Sequence, residues 1–305
     1  MDLRQLNALL AVADHGSFSA AARALHTVQS NVSTHVARLE KELGAVLIDR
    51  ASGQLTDDGE VVAGRARRIQ AELEAIVADV AALHDVVTGT VRLGIIGTTA
   101  RWLVPPLVEA MAERHPKVRL VVVDATTSSL VLQLGSGRLD LAVVNLPLPD
   151  PDLVTEHLFD EDRVLVAPVG HPLYERQHVT LRDLASYPLL LEPRGTAFRD
   201  ELDARCLTEG IELVPQAEVD GMRLLASLAF QGFGAALLPA SAAPGWVGGD
   251  WERVPVEDLP GRSVGVATRK RSRPSAPARA LREVLVDVVA TEAPKQPGVR
   301  PSPEP

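Results

Sequence analysis

Between positions 29 and 38 the chain carries Gln29, Ser30, Ser33, Thr34, His35 and Arg38, all able to donate or accept hydrogen bonds. At helical spacing they occupy the faces left free by Val32, Val36, Leu39 and Leu43, a narrow apolar stripe. Amides, hydroxyls and a guanidinium in such a row suit the base edges and phosphates of a DNA major groove. A second group is scattered through the later sequence: Thr98 and Thr99 after Gly97, Thr126 and Thr127, Asn145, Gly195 and Thr196, and Asp220. Each stands where a strand is expected to end and a helix to begin. Hydroxyls and free backbone N–H groups there suit a carboxylate or another small anion. Taken singly, each of these residues reads better as a helix cap than as a ligand contact; their convergence on one side of both expected lobes raises the group above its members.

The first group needs two helices to hold it. Ser19 is expected to cap a short helix over Ala20–Leu25, followed by a turn at His26–Thr27–Val28 and a second helix from Gln29 to about Glu42. Ala20, Ala21, Ala22 and Ala24 allow close packing, with Phe18 as an anchor. This is the pattern of a helix-turn-helix, although periodicity alone also fits two helices that merely pack as core. Charge gives partial support: residues 1–60 hold five Arg and Lys against eight Asp and Glu, and the whole chain has net charge −9. A nonspecific polyanion binder would be far more basic. The Arg65–Arg67–Arg68 cluster reads better as a solvated helix face than as a phosphate grip.

Beyond residue 60 the apolar positions are Val62, Ala66, Ile69, Leu73, Ile76, Val80, Leu83 and Val87, alternating steps of four and three. That is a coiled-coil seam, and as one helix it spans about 38 Å. Burial against a second copy is favoured over packing on the chain's own second domain. From Thr90 onward strand-like and helix-like stretches alternate, as in an α/β sheet with parallel strands. The pattern restarts near Pro168–Pro172, which predicts two lobes with a cleft between them.

The bulk properties narrow the class. A chain of 305 residues predicts more than one domain. No run is long and apolar enough to span a bilayer and no signal peptide is evident, which with a single cysteine, Cys206, fits the cytoplasm. Enzyme signatures fail on context. Gly261–Arg262–Ser263–Val264–Gly265 has the spacing of a nucleophile elbow, but a strand follows the Ser where a helix is needed, and no His occurs after His178. Gly232–Phe233–Gly234 enters a strand, the reverse of a dinucleotide loop. His15, His26 and His35 have no metal-ligand spacing. No cofactor is expected.

The ordered motifs of the first 60 residues resemble the winged helix-turn-helix of LysR-type transcriptional regulators. They are the opening Leu3–Val12 helix, Gly16–Ser17–Phe18 with Ala21–Ala22 and Leu25, and Gln29–Ser30 with Ser33, Leu39–Glu40 and Leu43–Gly44. Two wing signals follow, Leu47–Ile48–Asp49–Arg50 and Leu55 to Gly59. Two positions depart from the family pattern. Val28 stands where a capping Ser is common, which leaves Thr27 to cap, and Thr34 stands where Arg or Lys is common. The second half resembles the family's effector domain, itself similar to a periplasmic binding protein, through Gly89–Gly94, Leu139–Val144, Val164–Pro168 with Gly170–Leu173, and Gly232–Pro239.

The expected architecture is a winged helix-turn-helix domain over 1–58, a dimerising linker helix over 59–88, a two-lobed α/β effector domain over 89–290 and a disordered Pro-rich tail over 291–305. The expected function is ligand-controlled reading of a double-stranded DNA operator, with Gln29, Ser30, Ser33, Thr34 and His35 on bases and Arg38 and Arg50 on phosphates. A small, anionic effector would bind at Thr98, Thr99, Thr126, Thr127, Asn145, Gly195, Thr196 and Asp220. The resemblance further implies a homotetramer built from homodimers, and contact with RNA polymerase. The competing reading is a solute-binding or enzymatic α/β protein whose amino-terminal helices mediate protein contacts.

Overall fold

The computed structural model describes residues 1–271 and 273–302. Its first unit is helical: α1 (Leu3–His15), α2 (Phe18–Ala24) and α3 (Gln29–Leu43) precede a short wing bridged at Ile48 and Leu55. Asp2 caps α1 and forms a reciprocal capping box with Gln5. Ser17, rather than Ser19, caps α2 by accepting from the Ala20 N–H. The helices close on Leu9, Val12, Ala21, Val32, Val36 and Leu39, with Leu47 and Ile48 from the wing. The inward stripe of α3 stops at Leu39, because Leu43 is exposed.

Helix α4 (Asp57–Ala82) starts in the wing, with Thr56 accepting from the Gly59 N–H and Asp57, Asp58 and Glu60 at the positive end of the helix dipole. At 26 residues it is about 39 Å long. It ends earlier than its apolar repeat: the chain turns at Leu83–Asp85, Asp85 taking a positive φ of 59°, so Leu83 and Val87 lie outside the helix. One face lies against the protein through Ala63, Ala66 and Ala78. Two members of the arginine cluster fasten this helix to its neighbours. Arg67 pairs with Asp14 of α1 at 2.7 Å, and Arg68 donates to the Gly135 carbonyl at 2.7 Å, leaving only Arg65 as exposed surface.

The remainder forms two lobes. The first is built from β1 (Gly89–Ile95), α5 (Gly97–Arg114), β2 (Val118–Asp124), α6 (Thr127–Gly135), β3 (Leu141–Leu146) and β4 (Leu153–Glu161). The second contains β5 (Arg163–Pro168), α7 (Leu181–Leu184), β6 (Leu189–Leu191), α8 (Ala197–Thr208), β7 (Pro215–Glu218), α9 (Met222–Phe230), β8 (Ala235–Pro239) and β9 (Trp251–Pro255). The chain then returns to the first lobe as β10 (Arg262–Arg269), α10 (Ala276–Glu292) and β11 (Val299–Pro301). The sheet orders are β11-β4-β10-β3-β1-β2 and β7-β6-β8-β5-β9. Lobe connections therefore pass through Asp162 and again through residues 256–261.

Both sheets are mixed, where the sequence suggested parallel strands. β10 runs antiparallel to β3 and β4, and β5 antiparallel to β8 and β9. The expectation of a disordered tail from residue 291 is also corrected. Ala293, Gln296 and Val299 are buried, and β11 adds an antiparallel edge to β4. A short edge strand tolerates its prolines, because one side of it has no ladder to complete. Pro303 and Pro305 lie outside the described residues.

Candidate functional site

On α3 the side chains fall into two groups. Gln29, Ser30, Thr34 and Arg38 are exposed, whereas Ser33 and His35 are half-buried. Ser19 donates to the Gln29 Oε1 at 2.8 Å, which orients the amide at the start of the helix. Thr34 donates to the Ser30 carbonyl at 2.7 Å, so its proton stays within the helix and its oxygen remains an acceptor. His35 stands apart: its Nδ1 is buried without a hydrogen-bond partner among the described residues. Arg50 comes from the wing to the same surface, held by Glu40 at 2.9 Å and Ser33 at 3.3 Å, its guanidinium 4.9 Å above the Phe18 ring. Glu40 also accepts from the Leu47 and Ile48 N–H groups, so one carboxylate fixes helix, wing and arginine together. No side chain caps α3. Its N-cap is Val28, and Thr27 instead accepts from the Asn31 amide at 3.0 Å.

Between the lobes lies a cleft of about 760 Å³. It is lined by Thr98, Thr126, Thr127, Asn145, Gly195, Thr196 and Asp220, all from the group picked out in the sequence. Thr99 is the exception: one residue further into α5 it turns inward, fully buried with an unpartnered hydroxyl. Thr126 acts as a cap for α6, and Thr127 accepts from the Asn145 N–H at 3.2 Å. Helices α5, α8 and α9 have no side-chain cap and begin at this cleft, so their first N–H groups are available there.

Apart from Asp220, its charged residues were not legible in advance. Arg262 donates to Glu161 at 2.8 Å, to Thr98 at 2.7 Å and to Asn145 at 3.2 Å. Glu161, with no exposed surface, also accepts from the Ser241 N–H. Arg163 makes a two-pronged pair with Glu201, both bonds at 2.7 Å, over the Phe198 ring. Arg223 of the second lobe reaches Asp124 of the first at 2.6 Å, an ion pair across the cleft. Each lining arginine that points here thus has its acid. Glu192 makes no ion pair among the described residues, and burial together with the nearby Asp220 carboxylate pushes its pKa up against the weaker opposing pull of Thr196 and Arg262. Arg163 and Arg262 begin β5 and β10. Both strands run antiparallel to a neighbour, so their starts, rather than their ends, open on the cleft.

The Ser263 of the elbow-like motif lies in β10 and donates to Asp160 at 2.6 Å, while His157 contacts the same carboxylate oxygen at 3.0 Å. An aspartate sits between serine and histidine, so the histidine has no path to act as base on the hydroxyl.

Two family models match. Residues 3–60 fit the bacterial regulatory helix-turn-helix protein of the lysR family, and residues 84–290 fit the LysR substrate binding domain. The chain belongs to the LysR family. It is a DNA-binding transcriptional regulator and not an enzyme. Among curated relatives, a probable hydrogen peroxide-inducible genes activator of Mycobacterium leprae is 35% identical over 299 residues, covering 94% of each chain. The DNA-binding transcriptional dual regulator OxyR of Escherichia coli is 29% identical over 246 residues, covering 80% of this chain and 81% of that one. Among solved structures, a full-length OxyR variant from Pseudomonas aeruginosa superposes with a TM-score of 0.78 at 26% identity, covering 100% and 99%. Full-length CbnR complexed with its target DNA gives 0.68 at 25% identity, covering 96% and 100%.

Removing Arg262 leaves Glu161 charged in a dry site. Arg262→Met is expected to lose about 3–5 kcal/mol of stability, and Glu161→Gln added to it should recover part of that loss. Chemical denaturation of the four proteins of the cycle measures both. Losses that simply add would show that the pair is not coupled.

Proposed function

We propose that this regulator reads its operator as a homodimer and is switched by a small anion held between its lobes. The observation that carries this reading is the pairing of an exposed polar face on α3 with an exposed apolar ridge on α4. Ile69, Leu73, Ile76 and Val80 are 40%, 42%, 60% and 55% exposed in the single chain. A second copy would cover that ridge and present two recognition helices to the half-sites of a near-palindrome. Gln29, Ser30, Ser33 and Thr34 are assigned to base edges, and Arg38 and Arg50 to phosphates. His35, half-buried with its Nδ1 inaccessible, is assigned a supporting place at the margin of that set. Assembly into a tetramer, contact with RNA polymerase and a cytoplasmic location complete the proposal.

For the effector, the open N-termini of α5, α8 and α9, with the hydroxyls of Thr98, Thr126 and Thr127, favour an anion. Glu192 supports this as well: with its pKa raised, its carboxyl can take up a proton and donate to the ligand. Anion binding then strengthens as pH falls toward the carboxyl range, and a cation would show the opposite slope. An effector that binds one lobe arrangement better shifts the dimer toward it and moves the recognition helices.

Several relatives are probable hydrogen peroxide-inducible genes activators, but thiol oxidation does not suit this chain. Thiol sensors need an accessible, low-pKa sulfur and a second thiol to resolve it. Cys206 is the only cysteine; it is buried in the second lobe's core, and burial pushes its thiol pKa up.

A gel shift with DNA upstream of the regulator's own gene should show retardation that survives competitor DNA. Gln29→Ala is expected to weaken that complex by about 1–3 kcal/mol and to relax preference at one base pair. Unchanged discrimination in a binding-site selection removes Gln29 from the base-reading set. Hydrogen peroxide is expected to leave operator affinity unaltered in both the parent and Cys206→Ala. A peroxide response lost in Cys206→Ala would instead make the thiol the sensor.

A further inference from the structure

A second cavity, of about 460 Å³, lies at the junction of the lobes. Three segments build it: Asp162 with the start of β5, the end of β9 with the connection after it, and the turn at Pro297–Gly298. The Asp162 N–H donates to the Gly298 carbonyl at 2.8 Å, and β11 just beyond is paired to β4 of the first lobe. The cavity therefore touches both interlobe connections and the carboxyl-terminal segment pinned beside them.

Arg253 of β9 lines this cavity, and its Nη1 is buried with no hydrogen-bond partner among the described residues. Burial lowers its pKa, with no carboxylate close enough to raise it again. The two acids in the lining are engaged elsewhere. Asp162 takes both terminal nitrogens of Arg300, at 2.9 and 2.6 Å, and Glu257 faces His178 at 3.5 Å. A half-buried guanidinium without a counter-charge is costly, and an oxyanion of the right shape reduces that cost. Arg163, the other cation of the lining, is paired with Glu201, and Val164, Ala240, Val256 and Leu259 form the buried apolar part of the wall.

We propose that this hinge cavity binds a small monocarboxylate, its charge on Arg253 and its apolar body against Val164, Ala240, Val256 and Leu259. Occupancy would fix the angle between the lobes, because the ligand bridges both connections. The cavity is distinct from the interlobe cleft, although Arg163 stands in the wall of both.

Hexanoate is the probe, with 1-hexanol and hexylamine as neutral and cationic controls, in calorimetric titration and thermal unfolding of the full-length protein. Hexanoate is expected to bind and to raise the unfolding midpoint, and the controls to do neither. Arg253→Met should weaken hexanoate at least about tenfold, the loss of a charged hydrogen bond, while the ligand-free variant unfolds at a higher temperature than the parent. Arg253→Lys should keep the preference for the anion, and Thr98→Val, in the other cleft, should leave hexanoate binding unchanged. Equal hexanoate affinity in the parent and Arg253→Met, or no binding at millimolar hexanoate, overturns the proposal. So does loss of binding in Thr98→Val with Arg253→Met unaffected, which places the anion between the lobes.

Discussion

Along α4, Ile69, Leu73, Ile76 and Val80 turn apolar surface to water in a single protomer, at the spacing of a coiled-coil seam. That exposure is the constraint on which the rest of the molecule depends. The opposite side of the same helix is committed to the protein, through Ala66 and Ala78, the Arg67–Asp14 pair and the Arg68 bond to Gly135. A helix fastened in this way at both the DNA-reading unit and the first lobe cannot rotate to hide its ridge. Under the proposed pairing a second chain covers it and thereby sets the separation of the α3 helices.

The reading surface and the ligand cleft follow one electrostatic rule: charges are held in place by partners before any ligand arrives. Glu40 fixes Arg50 beside Ser33, and Glu161 fixes Arg262 beside Thr98. Such arginines retain donors for a ligand but lose little freedom on binding it, which sharpens recognition. The Arg223–Asp124 pair spans the lobes, so a change in lobe angle must stretch or break it. In the proposed switch this pair would link cleft occupancy to lobe angle at modest energetic cost, since both partners are partly exposed.

Much of the amino-terminal unit was readable because a period of 3.6 and a capping residue leave marks within a few positions. The cap of α2 was misplaced by two residues, since Ser17 and Ser19 are both plausible and only the Gln29 contact removes Ser19. Strands buried on both faces, such as β1, β3, β5 and β8, stood out as apolar runs. β4 did not, because Glu156, His157 and Asp160 interrupt it and its partners lie more than a hundred residues away. Composition also misled at the carboxyl end, where proline-rich sequence suggested disorder but Ala293 and Val299 are buried. The lining threonines were found as helix starts. Arg163 and Arg262 escaped because only antiparallel pairing brings the beginnings of their strands to the cleft.

The most direct measurement is sedimentation equilibrium of an Ile76→Glu, Val80→Glu variant, run beside circular dichroism and operator binding. The pairing account predicts a monomer with the parent's helical content that no longer retards operator DNA at concentrations where the parent does. A dimer that persists, or a monomer that binds the operator as tightly as the parent, would contradict it.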